Sequence, residues 1–421
     1  MKTFNNYLKK SIVFFFIGIV ACVLALSATA LIPQKKVIEN IKHSVAGLKK
    51  EGLRPDKMGL ELGPCFELDC YTDAIMLNAA AHIDKDDILG SIMRCNIFSR
   101  HDKNGFTRID DLEHVTNHGI HEQDNITVYG RYWHGYIVFL RPLLYITQYS
   151  GIRTINIVTF SLLVLIITIL SFKVIGINIT LAFNLTLVFS IFNVIPLCMQ
   201  YSSVFYITFA GIFLLLVNRK ILNNTISAML LFQCLGMLTS FVDLLTAPII
   251  SLCFPLVFYI EMYKDQNFKK IKKAVLLSVA WTIGYIGFWA AKWALAYMLT
   301  GENIIYNAVC EAGVHLENKT SLFELLRYIF VMTLHTPLIL VFIPIIIVFF
   351  YFDKNKILNN IIYLIIAIMP LCWLLLLNEH TFGHFFFSWR NIMPSVACII
   401  LFVINTSKLR IFAKLQQWLS K

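Results

Sequence analysis

Apolar residues run along this chain in long unbroken stretches, not in the three-or-four or alternating spacing of a soluble fold. Ten of them reach or approach the roughly 20 residues that a helix needs to cross hydrocarbon. Helix is the expected state, because every backbone amide inside a bilayer must be satisfied within its own segment. The stretches run over Ser11–Leu31, Arg153–Phe172, Ile175–Pro196, Val204–Val217, Ile226–Phe241, Leu244–Ile260, Val275–Leu299, Leu325–Tyr351, Ile357–Leu377 and Phe385–Ile404. The fourth, fifth and sixth each hold fewer than about 18 clean apolar residues, so tilted, broken or re-entrant forms are expected there. Between the first two spans lies a long polar region, Ile32–Ile152.

Lys and Arg between spans favour the cytoplasmic side. With the N-terminus inside, 17 cations fall in cytoplasmic segments and three on the opposite side, Lys319, Arg327 and Arg390. Both termini are therefore expected in the cytoplasm, and Ile32–Ile152 outside. Lys9-Lys10, the apolar core and Ala28-Thr29-Ala30 also fit a cleavable signal peptide, but a core of about 20 residues with nine spans after it favours an uncleaved anchor. The expected organisation is residues 1–31 as N-terminus and first span, 32–152 as exofacial loop, 153–404 as a bundle of about nine spans, and 405–421 as a basic cytoplasmic tail.

Composition agrees: 58% of residues are apolar and 14% charged, and mean hydropathy is +0.70, a membrane balance. The net charge of +11 needs no nucleic-acid partner, because the loop is almost neutral, with 14 Lys+Arg against 16 Asp+Glu, and the excess lies beside anionic headgroups. Walker-type, dinucleotide-binding and zinc-ribbon patterns are absent. Cys65, Cys70, Cys95 and Cys310 face a disulfide-permissive side, and spacing selects no pairing among the first three.

The loop carries structure signals. Val37, Ile38, Ile41, Val45 and Leu48 recur at helical spacing and predict an amphipathic helix on the membrane surface. Asp73–Ile83 and Asp110–His118 read as short helices, the first capped by Thr72 or Asp73. Tyr129–Tyr149 reads as an aromatic, basic interfacial segment.

Candidate chemistry falls in three places. Glu67, Asp69 and Asp73 put three carboxylates at the mouth of a helix, enough for a general base or a divalent cation, where capping alone explains one. Arg131, Tyr132, Trp133, His134 and then Arg141-Pro142 supply a guanidinium fork for phosphate, with headgroup anchoring as an equally good account. Polar groups then gather at the outer span ends: Gln200, Tyr201, Asp243, Glu379, His380, His384 and Arg390. His114, His118 and His121 have a spacing that permits a metal, with an ordinary polar loop as the default. Lys292 and His335, inside spans, read as bundle contacts.

This arrangement resembles the GT-C superfamily of multi-span glycosyltransferases, in its inside N-terminus, acids in a first outer loop with interfacial helices, and basic or His residues in a late outer loop. The segments Asp69-Cys-Tyr-Thr-Asp73-Ala-Ile-Met-Leu and Tyr129-Gly-Arg-Tyr-Trp-His134 are similar to parts of bacterial membrane proteins of this kind. The adjacent acidic pair here, Asp86-Asp87, comes later than the family's pattern places one. The resemblance implies a bacterial cytoplasmic membrane, an extracytoplasmic active face and a polyprenyl-phosphate-linked sugar as donor. The acceptor would be a glycan, lipid or protein. Asp69 or Asp73 would serve as base, Arg390 and Arg131 as phosphate clamps with His384 or His380, and Glu67, Tyr129, His134, Gln200, Tyr201 and Asp243 as pocket. No cofactor is required, with a divalent cation as an option. A transporter or flippase of lipid-linked saccharide is the rival, but such proteins show repeated halves and midplane polar residues, and here the polar groups favour the rim.

Overall fold

The computed structural model describes residues 2–56, 66–101, 106–263, 265–316, 320–334, 337, 340 and 353–408. The chain is an all-α integral membrane protein. Among the described residues seven helices are long and apolar enough to span a bilayer: Asn5–Leu31, Tyr149–Val174, Met199–Val217, Thr225–Val242, Asn267–Thr300, Lys354–Leu376 and Phe385–Thr406. Three shorter apolar helices, Ile137–Ile146, Ile177–Phe189 and Ile250–Met262, lie between them.

The differences from expectation fall at breaks. The third stretch shortens to Ile177–Phe189, since the chain turns at Ser190, passes Ile191 at a positive φ of 54° and makes one tight turn over Ile195–Leu197. The fourth and fifth, expected to be weakest, are complete helices of 19 and 18 residues. The sixth starts only at Ile250, because Asp243–Ile249 folds into a turn held by the Asp243 carboxylate. The tenth opens with short turns over Phe385–Ser388 and Trp389–Ile392 before Met393–Thr406. The eighth is described over Leu322–Leu334, and His335 with most of the remainder lies outside the described residues.

The bundle closes tightly where the helices Thr225–Val242 and Asn267–Thr300 cross. A Cβ at Gly236 would stand 2.1 Å from the Trp281 carbonyl oxygen, and one at Gly284 2.1 Å from that of Gln233. Small residues here let two backbones touch, the usual basis of helix association in lipid.

The region after the first span is a small folded unit. Its helix Gln34–Glu51 packs on Arg108–His118, Cys70–Ala81 and Ile137–Ile146. Val37, Ile41, Val45 and Leu48 are all at most 4% exposed, each worth about 1.5–3 kcal/mol of burial. The amphipathic helix thus turns its apolar face to protein, not to the membrane surface. Strands Asn96–Ser99 and Asn125–Val128 pair antiparallel, Asn96 opposite Val128. Tyr132, Trp133 and Tyr136, expected in an interfacial belt, are buried. Trp133 stacks on Phe288 and donates to its carbonyl at 2.7 Å.

Two buried cations join this unit to the bundle. Arg141 donates to the carbonyls of Thr29, Ala80 and Ile32, which makes it a structural tie. Lys292 donates to the carbonyls of Ile92 and Met93, at the C-terminal end of helix Ile88–Arg94, where a cation is favoured.

Candidate functional site

The helix Cys70–Ala81 begins with Asp69 as its N-cap, not Thr72 or Asp73. Its carboxylate accepts from the Thr72 amide at 2.9 Å and the Thr72 hydroxyl at 2.7 Å. One helical turn on, Asp73 points into the unit and is fully buried. It accepts from the Tyr149 hydroxyl, from the Cys198 thiol at 3.4 Å and from the Met199 amide at 3.1 Å. The early break of the third apolar stretch is what brings Cys198 and Met199 here. Burial pushes the Asp73 carboxyl up to about 6, against the opposing effect of Arg153. Arg153 forms an ion pair with Glu51 at 2.7 Å.

Asp69 is 2% exposed. Burial raises its carboxyl, and its own cap bonds and the nearby charges of Arg54 and Arg390 pull it back. Arg390, 1% exposed, lies with its guanidinium carbon 3.8 Å from the centre of the Tyr201 ring, a close cation–π contact. The Tyr201 hydroxyl donates to the Glu67 carbonyl at 3.1 Å, which ties the helix Met199–Val217 to the loop. Arg54 stands 4.0 Å over Phe386, four residues before Arg390. Asp69, Tyr201 and Arg390 thus come together in one buried cluster, with the exposed Arg54 at its edge and the half-buried Glu67 beside it, its carboxyl raised by burial.

Other sequence candidates lie elsewhere. Arg131 is stacked on Tyr129 at 4.7 Å and pairs with Glu311 at 3.4 Å, lining a separate cavity with Trp289, Trp293 and Trp373. The two arginines expected to clamp one phosphate therefore serve different places. His134 is buried, its ring between the Tyr129 carbonyl at 2.8 Å and the Tyr136 hydroxyl at 3.0 Å, and burial lowers it to about 3, so it is a neutral packing residue. Asp243 binds its own turn through the Thr246 amide, with Leu245 at a φ of 66°. Burial raises its carboxyl to about 7 against three backbone amides. His380 contacts the Leu245 carbonyl at 3.0 Å, and His384 stacks on Phe387. His380 thus adjoins the Asp243 turn, and Asn391, next to Arg390, reaches the Thr246 carbonyl at 3.3 Å. Gln200 is buried on the first turn beside Tyr201.

Among the described residues no group of three or more His, Cys, Asp or Glu side chains is set to hold a metal. His114, His118 and His121 do cluster, but His114 is engaged with Asp124 at 2.9 Å. Cys70 and Cys95 are both free, and Cys65 lies outside the described residues.

Sequence inspection misses Arg54, Tyr149, Arg153, Cys198 and Met199 as parts of this site. Tyr149 and Arg153 did leave a signal, a phenol and a cation one turn apart at the mouth of a span. Compared with protein-family models, with curated proteins and with solved structures, the chain finds no match.

Proposed function

We propose that the chain is a membrane glycosyltransferase of the GT-C kind, moving a sugar from a polyprenyl-phosphate donor to a glycan, lipid or protein acceptor of the cell envelope. The observation that carries this reading is the approach of Asp69 and Arg390 beside Tyr201, an acid from the first loop and a guanidinium from the last span in one buried cluster. The distribution of cations supports placing this cluster on the extracytoplasmic face of a bacterial cytoplasmic membrane, with both termini inside and ten crossings in all.

In this reading Asp69 is the base. Its carboxylate takes the proton of the acceptor hydroxyl, the hydroxyl oxygen bonds to the anomeric carbon, and the bond from that carbon to the phosphate oxygen breaks. Polyprenyl phosphate leaves with the electron pair. A phosphate leaves readily once its charge is countered, so no strong acid is needed, and Arg390 with Arg54 supplies that charge. Asp73, already accepting from three donors, acts as a positioning residue that fixes the helix bearing Asp69.

The test uses the purified chain in lipid vesicles, a panel of radiolabelled polyprenyl-phosphate sugars and an envelope glycan fraction. Label should become covalently attached to acceptor, and Asp69→Asn should abolish that transfer while membrane insertion is kept. Transfer at the normal rate in Asp69→Asn overturns the assignment of the base. Label that crosses the bilayer still joined to its lipid overturns the transferase reading in favour of a flippase.

A further inference from the structure

The folded unit after the first span carries a cleft of about 340 Å³, within the roughly 300–1,000 Å³ of ligand pockets. Tyr71 and Phe106 line it together with Leu53, Ser99, Arg108 and Asp111. Its polar groups reach solvent: the side chains of Arg108 and Asp111 are 29% and 12% exposed. They pair at 3.3 Å, and Nε of Arg108 lies 3.5 Å from the Tyr71 hydroxyl. Asp111 also accepts from the Arg100 amide at 3.2 Å. A guanidinium carries five N–H donors and a carboxylate about four acceptor positions, so both groups keep bonding capacity beyond these contacts.

The rings are the second observation. Tyr71 and Phe106 are 40% and 44% exposed, whereas Phe66, Phe98, Tyr132 and Trp133 of the same unit are buried. The Arg100 guanidinium, 4.1 Å over Phe106, holds that ring in place beside the cleft.

The balance of charge narrows the ligand. Asp111 opposes an anion such as phosphate and Arg108 opposes a cation, while a hydrocarbon chain would strip water from both. A neutral ligand whose groups both donate and accept, and whose C–H faces lie on Tyr71 and Phe106, meets each condition. That is the chemistry of a saccharide.

We propose that this cleft is a saccharide-binding site. Tyr71 follows Asp69 by two residues on the same helix, and Leu53 precedes Arg54, so the cleft and the Asp69–Arg390 cluster are built on two shared segments of chain. The saccharide is then the acceptor, a step that rests on the transferase reading, whereas binding does not.

The experiment is equilibrium dialysis of the full chain, in a zwitterionic, sugar-free detergent and without donor. The probes are radiolabelled maltotriose, mannotriose, galactotriose and triacetylchitotriose, with trialanine and inorganic phosphate as controls. At least one trisaccharide is expected to bind saturably, and Phe106→Ala and Tyr71→Ala should each weaken it by about fivefold, the effect of one aromatic contact. Both side chains are exposed, and an unchanged melting profile checks that each variant is folded. No saturable binding of any trisaccharide overturns the proposal, as does binding that both variants leave unaltered. Saturation by trialanine or phosphate alone also overturns it and assigns the cleft to a peptide or an anion. In the vesicle assay Phe106→Ala should raise acceptor KM by about the same factor with kcat kept. An unchanged acceptor KM overturns the acceptor role, while trisaccharide binding without any sugar transfer overturns the transferase reading alone.

Discussion

The cluster at Asp69 and the cavity at Arg131 are built from similar parts, each with an arginine on an aromatic ring and a carboxylate nearby, yet they differ in solvent. Arg390 and Asp69 are 1% and 2% exposed, so their charges act through protein, where electrostatic interactions are several times stronger than in water. Arg131 meets Glu311, whose side chain is 40% exposed, a pairing of the surface kind that contributes little. The cluster is suited to ionic chemistry and the cavity to apolar contact. A residue type near the end of a span does not decide between these roles; burial and the identity of the partner do.

The sharpest way to break this contrast is at the carboxylates. Asp69→Asn removes the base proposed for transfer, and on that reading kcat should fall by about 10²–10⁴-fold with little change in donor KM. Measured in the vesicle assay, a loss confined to KM would move Asp69 from catalysis to binding.

Asp73, one turn further along the same helix, gives the next largest effect, and its sign is opposite to that of a salt-bridged acid. Its folded-state carboxyl stands at about 6, while an unfolded chain has an Asp near ~3.9. Between those values the folded protein binds more protons than the unfolded one, so this group's contribution to stability is full below about pH 4 and is lost as pH rises through about 6. The penalty at neutral pH is about 3 kcal/mol. Thermal unfolding of the detergent-solubilised chain at pH 4.5 and 7 should therefore show a pH difference that shrinks in Asp73→Asn. Equal differences in the two proteins would remove Asp73 as its source.

Much of the scaffold was readable from periodicity alone. The helix Gln34–Glu51 follows the spacing of Val37, Ile41, Val45 and Leu48, and the seven long helices follow their apolar runs. The breaks were not readable, because the turn at Asp243 depends on a carboxylate finding its own downstream amides, and the break after Phe189 leads to a contact of the Met199 amide with Asp73 that joins distant parts of the chain. Asp69 and Arg390 were singled out from their positions, but their neighbours Arg54 and Tyr201 come together only through tertiary packing. The pairing of Arg131 with Arg390 as one clamp came from the family resemblance, which says nothing of the packing that sets them on different partners.

The smallest effects test whether the two arginines are truly separate. Arg390→Ala removes the guanidinium on Tyr201, and loss of the charge-assisted contact proposed to the donor phosphate would be worth about 1.5–3 kcal/mol. Donor KM should rise by roughly ten- to a hundredfold, with acceptor KM nearly unchanged. Arg131→Ala removes a guanidinium that already shares Glu311 and Asn307 and lines the other cavity, so donor KM should change by less than about threefold. The double variant should then show the simple sum of the two free-energy changes, as expected for groups without shared partners. A coupling above about 0.5 kcal/mol in donor binding would mean that both arginines grip the same phosphate and that cluster and cavity form one site during turnover.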